Sequence, residues 1–227
     1  MGGGNADAHS SLVEPAIAVG AFLPYNIGRQ SDNQRIKTVM IRLVGPGGAG
    51  KTTVGLALAS RLAVRFIDLD EQFTAGAGDI SRYLRAHGYR VYVNRNIHVY
   101  LETLRSSTEE GVFALSSGFM TYGDNAHPDY RSIYREIVAS PSTVALFPSF
   151  DFETCVSETV RRQLRRPFIR SAEREEQVIR TRFRVYWELP TKKFETTKPI
   201  DAVVEDLVVY LLPIIRLASD GGASRRG

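Results

Sequence analysis

Between residues 37 and 218 the apolar positions fall into two alternating kinds of run. Short stretches rich in apolar and β-branched residues at Thr38–Val44, Arg65–Asp70, Gly111–Ser117, Thr143–Phe147 and Lys193–Thr197 predict five strands. Longer runs with apolar residues every three or four positions predict helices. These cover Thr53–Ala63, Asp79–Ala86, Val91–Ser106, Arg131–Ala139, Glu153–Leu164, Ala172–Glu188 and the stretch after Pro199 to about Leu217. Strands that alternate with helices imply a parallel sheet covered on both faces. The expected fold is a three-layer α/β domain over residues 37–218 with a five-stranded parallel sheet. Residues 1–36 read as an N-terminal arm, flexible or docked, and 219–227 as a polar, fraying tail.

Hydrophobic residues make up 43% of the chain, enough for an ordinary core. The longest apolar stretch, Val203–Leu217, is interrupted by Glu205, Asp206 and Arg216. It falls short of the ~18 residues a membrane helix needs. No signal-peptide pattern opens the sequence, and Cys155 is the sole cysteine. A cytoplasmic protein without disulfides is the expectation. The net charge of +4 is concentrated in arginines between Arg161 and Arg184. No nucleic-acid motif accompanies them, so a nucleic-acid-dependent ATPase is the weakest functional reading.

One segment carries defined chemistry. Gly45-Pro46-Gly47-Gly48-Ala49-Gly50-Lys51-Thr52 fills every fixed position of G-x-x-x-x-G-K-[ST], between a predicted strand and a predicted helix. Glycines let backbone N–H groups close around phosphate oxygens, and the helix N-terminus adds positive dipole. Lys51 is expected on the β- and γ-phosphates of ATP, and Thr52 on Mg²⁺, with Thr53 beside them. Asp68 and Asp70 end the second strand, where residues two apart share a face. One carboxylate suits Mg²⁺, and the other suits a hydroxyl to be oriented or deprotonated. The run Arg165-Arg166-Pro167-Phe168-Ile169-Arg170 suits a lid whose arginines close on a transferring phosphoryl group. Arg182 and Tyr186, four apart, share a helix face and suit an anionic acceptor.

These pieces, in this order, resemble the shikimate kinase family of nucleoside monophosphate kinase-like P-loop enzymes. The resemblance rests on Gly45–Thr52, Asp68-Leu69-Asp70, Arg166-Pro167-Phe168, Arg182–Tyr186 and Glu195-Thr196-Thr197-Lys198-Pro199, and spans about residues 37–217. It implies an ATP- and Mg²⁺-dependent small-molecule kinase, monomeric or weakly dimeric. It also implies that Asp70 binds the acceptor hydroxyl, Asp68 serves Mg²⁺, Arg166 is the lid arginine, Arg182 grips the acceptor carboxylate and Pro199 lies on the adenine side.

Two departures fall on the acceptor side. The family's Phe-Arg pair, counted from Gly88, is Tyr92-Val93 here. Arg95 follows two residues later, and the usual glutamate is Asn96. Three consecutive glycines after the third strand are replaced by Ser117-Gly118-Phe119, with the phenylalanine expected to occupy pocket volume. Arg95, Ser117, Gly118 and Phe119 are therefore the expected variable acceptor contacts. A ligand-sensing module that kept the fold and lost turnover is the alternative reading.

Overall fold

The structure is a computed structural model and describes residues 39–106, 111–164 and 171–220. The expected arm over 1–36, the lid segment with Arg166, and residues 221–227 of the expected tail lie outside the described residues.

The described chain forms five strands and seven α-helices in alternation. They are β1 (Met40–Val44), α1 (Lys51–Leu62), β2 (Phe66–Asp68), α2 (Leu69–Ala77), α3 (Ile80–Ser106), β3 (Gly111–Ala114), α4 (Tyr130–Ala139), β4 (Thr143–Phe147), α5 (Phe152–Leu164), α6 (Ala172–Glu188), β5 (Lys192–Glu195) and α7 (Ile200–Asp220). The sheet order is β2-β3-β1-β4-β5, and every pairing is parallel.

Side-chain alternation divides the core into two layers. Along β1, Met40 and Val44 join the cluster under α2, α3, α4 and α6, while Ile41 and Leu43 join the one under α1 and α7. Arg42 shares the first face. Its side chain is almost buried and reaches Glu136 of α4 at 2.6 Å. The central strand is thus buried on both sides, which explains why four of its five residues are hydrophobic and why Arg42, the exception, is paired. With β1 between β3 and β4, the loop that follows it sits where ligands bind in open parallel sheets.

Two departures from the sequence expectation, and one expectation that is met, follow. The second strand stops at Asp68, and the helix α2, absent from the sequence reading, begins at once. Asp68 is its N-cap, accepting from the Asp70 backbone N–H at 2.9 Å. Asp70 therefore lies in a first helical turn, where a carboxylate is favoured by the helix dipole. The two helices expected on either side of Gly88 are present as the two limbs of α3, which meet at a kink where Gly88, with φ 78°, is not helical. Finally, α7 continues to Asp220, into the segment expected to fray.

Candidate active site

The phosphate loop is held by backbone geometry that glycine alone supplies. Gly50, at the N-cap of α1, has φ 86°. Gly45 has φ 146°, and a Cβ there would lie 2.3 Å from the Leu146 carbonyl oxygen of β4. The loop can therefore lie against the sheet only with glycine at that position. The Lys51 ammonium donates to the carbonyls of Gly45 at 2.8 Å and Pro46 at 3.0 Å, so it arches over the loop. Ala49 is fully buried, and its carbonyl accepts from Thr196 Oγ1 at 3.0 Å.

Two oxygen donors meet at the edge of the loop. Thr52 Oγ1 donates to Asp68 Oδ2 at 2.7 Å. A hydroxyl beside a carboxylate at a helix N-terminus is a hard-oxygen set of the kind Mg²⁺ takes alongside phosphates. Asp70 faces the same edge, and Ser116 Oγ donates to its Oδ1 at 2.5 Å. Although Asp70 is helical rather than extended, the cap turn aims both carboxylates at the strand ends.

Two hollows flank these groups. A groove of about 350 Å³ is lined by Gly48, Gly50, Thr53, Arg162, Thr196 and Lys198, among others. Arg162 forms its wall. Its Nη1 donates to the Gly48 carbonyl at 3.1 Å and to Thr196 Oγ1 at 3.2 Å, and its Nε donates to Glu158 at 2.6 Å. Pro199 lies between two lining residues, Lys198 and Ile200, and its carbonyl accepts from Ala202 at the start of α7.

The second hollow, of about 650 Å³, is lined by Asp70, Ser117, Gly118 and Arg182, with Tyr89, Tyr92 and Tyr122 along another side. Arg182 Nη1 donates to Ser117 Oγ at 3.2 Å, and Tyr186 Oη donates to the Ser117 carbonyl at 2.9 Å. The expected i, i+4 pair on α6 thus converges on one residue. Gly118 allows that approach, since a Cβ there would lie 3.0 Å from Arg182 Nη2. Burial pushes the Tyr186 phenol well above its ordinary pKa, so it stays a donor.

Two expected acceptor contacts lie elsewhere. Arg95 pairs with Glu102 of its own helix at 3.1 Å and does not line the cavity. The bend at Gly88 sets the rotation of α3, and that rotation turns Tyr92 inward and Arg95 outward. Phe119 is fully buried, against Tyr100, Tyr122 and Tyr130. It starts a single 3₁₀ turn, Phe119–Thr121, and adds to the core rather than filling the pocket.

The sequence reading missed Ser116, Arg162 and the three tyrosines. Ser116 sits one residue before the stretch that was expected to matter. The signal for Arg162 was its i, i+4 spacing from Glu158, but only the placement of α5 shows that it meets the loop.

Comparison with known proteins agrees with this geometry. A family model described as shikimate kinase matches residues 47–211. A shikimate kinase of Legionella pneumophila (strain Corby) is 30% identical over 181 residues, covering 78% of this chain and 96% of its own length. The solved structure of a shikimate kinase from Acinetobacter baumannii in complex with shikimate matches with a TM-score of 0.60 at 26% identity, over 78% of this chain and 96% of that one. A gluconokinase from Sinorhizobium meliloti 1021 shares the fold, with a TM-score of 0.51 at 17% identity over 84% and 99%. The matched span runs from the phosphate loop into α7, and the chain belongs to the shikimate kinase family as an ATP-dependent kinase of a small molecule.

Proposed function

We propose that the chain transfers the γ-phosphoryl group of MgATP to a hydroxyl of shikimate or a closely related ring-shaped hydroxy acid. One observation carries the reading: the phosphate loop and the tyrosine-lined cavity share a wall. A Cβ on Gly47 would meet the Gln163 side-chain amide and lie 3.7 Å from Ser117 Oγ, and Gln163 and Ser117 both line that cavity. A nucleotide seated on the loop and an acceptor seated in the cavity would meet there.

The residues divide the work. Loop amides and Lys51 hold the triphosphate, Arg162 and Thr53 border the nucleoside side, and Thr52 with Asp68 hold Mg²⁺. Bound MgATP supplies the transferable phosphoryl group and the charge that spreads over its oxygens. Asp70 accepts the acceptor's proton as the hydroxyl oxygen bonds to phosphorus and the bond to the β-phosphate oxygen breaks, leaving ADP. Arg182 meets the acceptor's carboxylate with a charge-assisted hydrogen bond. Arg166, outside the described residues, is assigned the charge that develops on the transferring phosphoryl group.

Among the described residues, the cations that line the cavity, Arg174 and Arg182, both come from α6. On the α3 side stand Tyr89 and Tyr92 instead. That asymmetry favours an acceptor with one anionic group and a body that packs on phenol rings, and it also suits the second reading, a ligand-sensing module. Release of ADP, measured with MgATP and each of shikimate, quinate and 3-(hydroxymethyl)benzoate, separates the two. Acceptor-dependent ADP release supports the kinase. Saturable acceptor binding with no ADP release supports the sensor.

A further inference from the structure

Behind Asp70 lies a buried polar chain that the proposed roles do not use. Ser116, which directly follows Leu115 at the end of the central sheet, is almost completely buried. Its backbone is fixed on both sides: the Leu115 N–H donates to the Leu43 carbonyl at 3.0 Å, and the Ser116 carbonyl accepts from Phe119 at 2.9 Å. Its hydroxyl donates to Asp70 Oδ1 at 2.5 Å. That hydroxyl in turn accepts from Asn96 Nδ2 at 2.9 Å, and the same amide donates to Tyr92 Oη at 2.8 Å. Asn96 is fully buried in the middle of α3. An amide in that position is retained only if its hydrogen bonds are made, because an unpaired buried polar group is costly.

We propose that Ser116, oriented by Asn96, is a positioning residue for phosphoryl transfer: it fixes the Asp70 carboxylate at the wall of the acceptor cavity. The inference rests on the kinase reading and assigns this chain's own serine and asparagine to it. The direction of the bonds supports this. Ser116 Oγ lies 2.5 Å from Asp70 Oδ1 and 3.5 Å from Asn96 Oδ1, so the serine's only proton goes to Asp70, the nearer and charged acceptor. A short bond of this kind also fixes the plane of the acid, and small displacements of a proton acceptor cost rate steeply. The Tyr92 phenol, raised in pKa first by burial and then by the nearby Asp70 charge, stays protonated and does not compete with Asp70 for the acceptor's proton.

The test uses the full chain, the single variants Ser116→Ala, Ser116→Thr and Asn96→Leu, and the double variant that combines Ser116→Ala with Asn96→Leu. ADP binding is measured first. ADP release is then followed with MgATP and the best of shikimate, quinate and 3-(hydroxymethyl)benzoate. Ser116→Ala is expected to lose about ten-fold in kcat, the scale of one hydrogen bond to a charged group, with KM for ATP and for the acceptor unchanged. Ser116→Thr, which keeps the hydroxyl, restores the wild-type kcat. Asn96→Leu, isosteric but without the amide, lowers kcat the same way, and the double variant loses little more, because both act through Asp70. A Ser116→Ala protein with wild-type kcat overturns the proposal and leaves the kinase reading standing. So does a loss of kcat that Ser116→Thr does not restore, which is the signature of a packing role. If the wild type binds ADP and releases none with any acceptor, the kinase reading falls and this proposal falls with it.

Discussion

The Thr52 hydroxyl donates a 2.7 Å hydrogen bond to the Asp68 carboxylate, tying the first turn of α1 to the residue that caps α2. The phosphate loop and the carboxylate edge are therefore one unit. Asp68→Asn keeps one oxygen for the cap, since Asn and Asp cap equally well, and sets an amide NH2 opposite Thr52 Oγ1, whose hydroxyl can turn to accept from it. It removes the charge. We expect an unchanged melting temperature and a raised Mg²⁺ requirement in steady-state kinetics. Asp68→Ala loses the cap as well, at about 1 kcal/mol. Equal Mg²⁺ dependence in wild type and Asp68→Asn would remove the metal role.

Lys51 is engaged with the Gly45 and Pro46 carbonyls at the rim of the loop, outside the core clusters. Lys51→Ala is expected to abolish productive ATP use and to leave the fold intact. ATP titration and thermal melting on the same sample check both halves. Wild-type ATP affinity and turnover would contradict the phosphate-loop role.

Arg162 joins Gly48 of the loop to Thr196. Arg162→Ala should weaken ATP binding by roughly ten-fold, the scale of a lost charge-assisted bond, whether or not an acceptor is present. The pH dependence follows from its partner. Glu158 is held down at about 2, first by the hydrogen bond from Arg161 and then by Arg162, with burial opposing. Its folded pKa lies below the unfolded value of ~4.3. The stability it contributes is therefore complete above that value and is lost as pH falls toward 2. Acid unfolding of Glu158→Gln should lack that component. Superimposable acid-unfolding curves would show the pair to be inert.

Phe119 belongs to the core rather than to the pocket. Phe119→Ala should cost about 3–5 kcal/mol of stability, seen as a lower denaturation midpoint. Phe119→Leu should retain most of the stability and the wild-type KM for the acceptor. A large change in that KM with unchanged stability would return Phe119 to the binding site.

Arg182 reaches Ser117 at the cavity wall from α6, and no arginine from α3 lines that cavity. Arg182→Ala should weaken an anionic acceptor by roughly ten- to a hundred-fold while ATP affinity holds. With Val93 buried and Arg95 turned to Glu102, shikimate itself should be a poor acceptor. Steady-state kinetics with kcat/KM at or above ~10⁴ M⁻¹s⁻¹ would show that Arg182 and Arg174 suffice.

The fold and the nucleotide half were legible in the sequence because their determinants are local. The phosphate loop is a run of eight consecutive residues whose glycines meet backbone requirements. The strands declare themselves by short apolar runs, and β4 and α6 have the limits the pattern implies. Asp68 and Asp70 were recognisable as a pair, but a capping turn, not strand alternation, aims them. The acceptor half depends on how elements rotate and pack, and one residue of rotation on a helix turns a side chain by about 100°. The sequence of α3 offers Tyr92, Val93, Arg95 and Asn96 on equal terms. Only the bend at Gly88 and the packing under Phe73 and Ser116 decide that Tyr92 lines the cavity, Asn96 is sealed behind it and Arg95 faces outward. In the same way, a short turn after β3 exchanged Phe119 for Ser116 at the site. Burying the phenyl ring in an aromatic cluster is worth more than leaving it in a polar cavity, and no local pattern reveals where that cluster lies.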